Sequence, residues 1–159
     1  MEALYQAIRR SKTAISQEAI WYKILSKPAV KKYIINLVQD QLKNSIDGNN
    51  QRIEDTEGNY YYSKLTEQIT GGRKRHGDPY TLFDTGEFYN SIIVRVGKLE
   101  FLMDGDPIKT DEDGNKTNLF EKYGNEIVGI TEENQSKIAI KIKEEINQEI
   151  RNYLFRKSR

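Results

Sequence analysis

Asp78-Pro-Tyr-Thr-Leu-Phe-Asp-Thr-Gly-Glu-Phe-Tyr-Asn-Ser-Ile-Ile93 lies between a polar, helix-patterned first half and a strand-containing second half. Its centre, Asp84-Thr85-Gly86, supports two readings. In the first the carboxylate is catalytic, because two such carboxylates brought together share a proton and activate water. A chain with one triplet must then dimerise to complete the pair. In the second the triplet is a capped turn. Asp84 or Thr85 accepts from the free N–H groups two or three residues on. Gly86 relaxes the backbone, and Phe88 and Ile92 fall on one side of a short helix.

Upstream of the stretch, Gly71-Gly-Arg-Lys-Arg-His-Gly77 reads as a flexible basic loop. Pro79 biases Asp78 away from helix. Tyr60-Tyr-Tyr-Ser63 reads as extended and Lys64 to Thr70 as a helical turn, with turns at Asp47-Gly48 and Glu57-Gly58-Asn59. Val30, Tyr33, Ile34, Leu37, Val38 and Leu42 recur at three- and four-residue steps, which predicts a helix from Pro28 to Asn44. Before it, Ser16 would cap a helix whose apolar side is Ile20, Trp21, Ile24 and Leu25. Leu4 and Ile8 also have helical spacing, so residues 1–27 read as a helical extension.

Downstream, the alternation from Ile92 to Met103 predicts a hairpin turning at Gly97-Lys98. Asp104 to Asn118 reads as a long polar loop, Leu119 to Gly124 as a short helix, and Ile127 to Ile130 as extended. Thr131 would cap the last helix, where Ile138, Ile142, Ile146, Ile150 and Leu154 repeat every fourth residue. Arg151, Arg156 and Lys157 sit at its C-terminal end, where cations suit the helix dipole. The expectation is an α+β fold. A small antiparallel sheet or hairpin is packed by two long amphipathic helices, Pro28–Asn44 and Thr131–Arg156, with extra N-terminal helices. The helices would bury Ile34, Leu37, Val38, Ile138, Ile142, Ile146 and Ile150. Residues 28–159 form the single main domain in this reading.

Composition narrows the function. The chain has 159 residues, 36% of them hydrophobic and 31% charged, so much of its surface is polar. With such a balance some segments would order only against a partner. A formal net charge of +1 gives no global attraction for nucleic acid or an anionic membrane. There is no cysteine and a single histidine, His76, which removes disulfides and Cys- or His-rich metal sites. No apolar run approaches the ~20 residues of a membrane span, and the N-terminus lacks a signal peptide's apolar core. No cofactor is expected.

Three further groups carry candidate chemistry. Arg73, Lys74 and Arg75 with Tyr80 could contact phosphate and a stacked base, or order against an acidic partner; a solvated loop is the plainer reading. Asp111-Glu-Asp-Gly-Asn115 echoes a calcium loop, but the glycine falls at the fourth position rather than the sixth, so a turn is expected. For Asp84, a dimeric aspartic protease is the enzymatic alternative. The context differs from that class, where the triplet follows an apolar strand and precedes Ser or Ala. No phosphate loop or Gly-x-Ser-x-Gly is present.

Leu82-Phe-Asp-Thr-Gly-Glu-Phe-Tyr-Asn-Ser-Ile92 resembles the Leu-x-Asp-Thr-Gly-x-Leu-x-x-Ser-Ile block of tailed-bacteriophage head–tail connector, neck and tail-completion proteins. The order of elements is similar, from about Pro28 to the C-terminus, including the segment Phe120-Glu-Lys-Tyr-Gly124. Phe88 replaces the usual aliphatic residue, and residues 1–27 do not match that core. The resemblance implies a non-enzymatic virion protein: a homo-oligomeric ring around the DNA channel that meets the portal or neighbouring neck and tail proteins. Localisation in the virion, with assembly in the host cytoplasm, follows from it. Asp84, Thr85, Gly86 and Ser91 then shape a turn. A nucleic-acid-binding accessory protein using Arg73, Lys74, Arg75 and Tyr80 is the other alternative.

Overall fold

A computed structural model of the protein describes residues 17–156 apart from 99 and 112. The helical spacing at Leu4 and Ile8, the Ser16 cap and Lys157 lie outside the described residues, as do the side chains of Leu154 and Arg156. The fold is α+β, with two small antiparallel sheets of two strands each and six α-helices among the described residues. No helix among the described residues is long and apolar enough to cross a membrane.

Helix α1 (Gln17–Leu25) leads into α2 (Pro28–Lys43). Pro28 suits the first turn of α2, because its missing N–H has no intrahelical acceptor there in any case. Val30, Ile34, Val38 and Leu42 form one stripe and are completely buried, while Tyr33 and Leu37 flank it half-buried. The stripe serves two cores. Val30 and Ile34 pack with Ile24 and Leu25 of α1 and with Ile138 and Ile142 of the last helix. Val38 and Leu42 pack with Ile53, Tyr62 and the aromatic side of the central stretch.

The last helix, α6 (Glu132–Arg156), is capped as the sequence predicts: Thr131 Oγ1 accepts the N–H of Asn134 at 3.3 Å. Its apolar stripe departs from expectation. Ile138 and Ile142 are buried, Ile146 is half-buried, and Ile150 is 44% exposed. A four-residue spacing precesses by about 40° per step around a helix of ~3.6 residues per turn. The face towards α1 is taken instead by Glu145 and Glu149. Lys27 pairs with both, at 3.0 and 2.9 Å, and Lys23 pairs with Glu149 at 2.6 Å.

Between these helices lie α3 (Lys64–Ile69), α4 (Glu87–Ser91) and the hairpin β1 (Ile93–Val96) with β2 (Phe101–Asp104). Val94 faces inward opposite Met103, and its neighbour Ile93 faces out, the period-two pattern of a strand covered on one side. The expected polar loop over 104–118 holds a second hairpin, β3 (Ile108–Thr110) with β4 (Lys116–Asn118). Its strands have no apolar alternation, so no pattern marks them. What closes the hairpin is Asp111, whose carboxylate accepts the N–H groups of Asp113 and Asn115 at 3.0 and 2.8 Å. The stretch that echoes a calcium loop is therefore the turn of a hairpin. It leads into α5 (Leu119–Tyr123), capped by Asn118.

Asn125–Val128 is a 3₁₀ turn, so of the segment 127–130 expected to be extended Ile127 and Val128 are not, while Gly129 is. Long-range backbone bonding fixes it. The carbonyl of Glu126 accepts from Gly129 and from Gly48, both at 2.8 Å, so two distant glycines meet there. Beside them Gln41, buried on α2, donates to the carbonyl of Gly129 at 3.1 Å. Its Oε1 accepts from the Thr131 N–H at 3.2 Å and from Asn134 Nδ2 at 2.6 Å. A Cβ on Gly48 would stand 2.4 Å from Gly129 Cα, a contact only backbone movement can relieve. Gly48→Ala is thus expected to lower stability by about 1–3 kcal/mol, measured as a shift of the urea midpoint; an unchanged midpoint would contradict the close packing of these strands of backbone.

Candidate functional site

The central stretch begins with a backbone constraint. Leu82 has φ of 57°, a left-handed conformation that costs a non-glycine residue roughly 1–2 kcal/mol. Tyrosine hydroxyls hold it there. Tyr62 Oη accepts from the N–H groups of Thr81 and Leu82 at 3.2 and 3.1 Å, and Tyr89 Oη donates to the Thr81 carbonyl at 2.7 Å. Gly86, with φ of 88°, then starts α4. Thr85 Oγ1 accepts the Glu87 N–H at a long 3.4 Å. Of the two acceptors foreseen in the sequence, Thr85 therefore serves the turn and Asp84 does not. Ser91 ends α4 by donating to the Phe88 carbonyl at 2.7 Å. Its oxygen also accepts the Asp106 N–H at 2.8 Å, which ties the stretch to the start of the second hairpin.

Asp84 is instead an ion-pair centre. Its side chain is 8% exposed; Oδ1 accepts from Arg73 Nε at 3.0 Å and Oδ2 from Lys109 Nζ. Burial pushes its pKa up, but the ammonium of Lys109, the guanidinium of Arg73 and the nearby charge of Lys74 hold it below the usual carboxylate range. The carboxylate joins three parts of the chain: the basic loop, the central stretch and β3. Lys109 has no sequence signal, because it lies 25 residues away in the stretch read as loop.

The basic loop divides. Arg73 is engaged by Asp84, and Arg75 is exposed. Lys74 is half-buried, its Nζ 5.1 Å from the centroid of the Tyr62 ring. Tyr80 is 6% exposed and offers no open face to a base, contrary to the expected stacking role. Its ring meets Tyr62 and Tyr123 edge-on, with centroids 5.0 and 5.1 Å away, and its hydroxyl donates to Asp55 Oδ2 at 3.0 Å. Burial and that carboxylate push the Tyr80 pKa upward. The structure thus brings Asp84, Arg73 and Lys74 together, keeps Tyr80 in the core and leaves Arg75 outside.

Two apolar surfaces were not foreseen. The first is a groove of about 980 Å³ between β2 and α6, walled by Trp21, Phe101, Leu102, Met103, Ile142 and Ile146. β2 pairs only with β1 among the described residues, so its outer edge borders no strand. The second is the ridge of α3, a helix with no buried residue, where Leu65 and Ile69 are each 63% exposed. Four-residue spacing sets these two side by side. Among the described residues no group of three His, Cys, Asp or Glu side chains could hold a metal ion.

No protein family, curated protein or solved structure matches the chain.

Asp84→Asn should cost about 2 kcal/mol at neutral pH, since it leaves two cations facing a neutral amide. A carboxylate with a depressed folded pKa contributes stability above its unfolded pKa of about 3.9, and that stability is lost as pH falls through the lower folded value. The gap between wild type and variant in urea unfolding should therefore narrow below about pH 4. A gap independent of pH would remove the ion pair from the account.

Proposed function

We propose that the protein is a structural component of a tailed-bacteriophage virion, forming part of the head–tail connector or neck ring, or completing the tail, around the DNA channel. The observation that carries this reading is the pair of unshared apolar surfaces. A concave groove and a convex ridge on one molecule, with no residue in common, suit a heterologous contact in which each copy's ridge seats in the next copy's groove. Repeated by rotation, such contacts close into a ring. Larger exposed apolar patches commonly mark interaction surfaces.

The rest of the chain is in keeping with this. A carboxylate clamped by two cations stays ionised, whereas a protease pair must share a proton. Asp84 therefore acts as a tie within the building block. A net charge of +1 suits a channel wall past which DNA slides, because a strongly basic lining would hold the phosphate backbone. The resemblance of Leu82 to Ile92 to the connector block supplies the particular assembly.

The decisive measurement is quantitative mass spectrometry of purified virions specified by the same genome. The protein should be present at a copy number of several per particle, and its absence from virions would overturn the reading. The contact itself has a separate signature. Leu65→Glu and Leu102→Glu should each reduce self-association by at least about tenfold, the effect of ~1.4 kcal/mol. A mixture of the two variants retains one intact groove and one intact ridge, so it should form dimers and no larger species in sedimentation.

A further inference from the structure

We propose that the pocket walled by Tyr62, Tyr80 and Tyr123 binds a terminal phosphate group, held by the ammonium groups of Lys74, Lys109 and Lys122. This site shares no lining residue with the groove and takes Thr66 but neither Leu65 nor Ile69 from α3, and it does not depend on the ring. The pocket has a volume of about 500 Å³, and all three lysines line it together with Thr117.

The reasoning is electrostatic. Neither Lys74 nor Lys122 has a carboxylate within ion-pair distance among the described residues; each rests on a tyrosine ring, at 5.1 and 5.4 Å. Lys109 has Asp84, but shares it with Arg73. Like charges gathered in a recess oppose one another, and the cost rises with desolvation. Lys74 registers it: burial, then the adjacent Lys109 ammonium and the charge of Lys122, pull its pKa down to about 8, against the opposing pull of Asp84. An anion in the pocket would turn that repulsion into attraction.

The pocket's carboxylates stand beyond ion-pair distance of Lys74 and Lys122 among the described residues. Asp55 and Glu57 line it too. Asp55 already accepts from the N–H groups of Glu57 and Asn59, from the Asn59 amide and from the Tyr80 hydroxyl. Glu57 faces the Asn59 amide at 3.5 Å.

Three separate ammonium donors suit a group with three or more acceptor oxygens, which favours phosphate over carboxylate. The recess favours a terminal phosphate over a nucleic-acid backbone. Backbone binding uses cations spread along an exposed face, whereas here Lys74 and Lys109 are half-buried. The terminal phosphate could be inorganic or carried by a nucleoside, and the pocket volume admits either.

Isothermal titration calorimetry of the full chain in a phosphate-free buffer tests the proposal. The probes are inorganic pyrophosphate, a nucleoside 5′-diphosphate and a DNA duplex without terminal phosphates. One or both of the first two should bind with one-to-one stoichiometry, and the tighter of them identifies the source. Lys74→Met keeps the packing over Tyr62 without the charge, and Lys122→Met removes a charge at the surface. Each should weaken that binding by about tenfold or more. Lys64→Met, on α3 and outside the pocket, should leave it unchanged. The proposal fails if neither small probe binds at millimolar concentration. It fails equally if both pocket variants bind like wild type, or if the duplex alone binds.

Discussion

A single buried carboxylate governs how the middle of this protein is put together. Asp84 takes Arg73 on one oxygen and Lys109 on the other. Neither cation could be drawn there by local structure, since one lies on a glycine-bounded loop and the other on a strand of three exposed-to-intermediate residues. With the carboxylate in place, the basic loop folds over the tyrosines and the second hairpin docks against α4. A buried charge without its partners would be costly, so the two ion pairs tie the three segments to one another.

Around that tie the chain uses hydroxyls and glycines where apolar packing cannot reach. Tyr62 and Tyr89 hold the left-handed Leu82, two residues before Asp84. At the opposite side of the core, Gly48 and Gly129 let two backbone segments touch, and Gln41 satisfies the polar groups of both the 3₁₀ turn and the start of α6. Gly129 of this junction also lines the groove beside β2.

The surfaces left over follow from the same economy of apolar residues. The completely buried side chains fall mainly on α1, α2 and the segments they cover. The outer face of β2, the ridge of α3 and the far end of α6 keep leucines and isoleucines that are exposed among the described residues. The lysines around the tyrosine pocket are an analogous case in charge: of the three, only Lys109 has a carboxylate within ion-pair distance among the described residues.

Periodicity alone determined α2, α6, the first hairpin and the buried Ile34, Val38, Ile138 and Ile142. Local patterns report local structure, because a helix or strand must present one face to whatever covers it. Thr131 and Gly86 were legible for the same reason, since capping and positive φ are decided within a few residues. Tertiary structure alone decided the rest. The second hairpin has no apolar alternation, and its turn chemistry could equally have closed a loop. Ile127 and Val128 look extended until Gly48 captures the Glu126 carbonyl. Ile150 follows the stripe in sequence but rotates out of the core in space. Lys109 and Lys122 reach the tyrosine pocket from positions that no spacing rule connects to Lys74, because electrostatic partners are chosen by distance in the folded chain and leave no period behind.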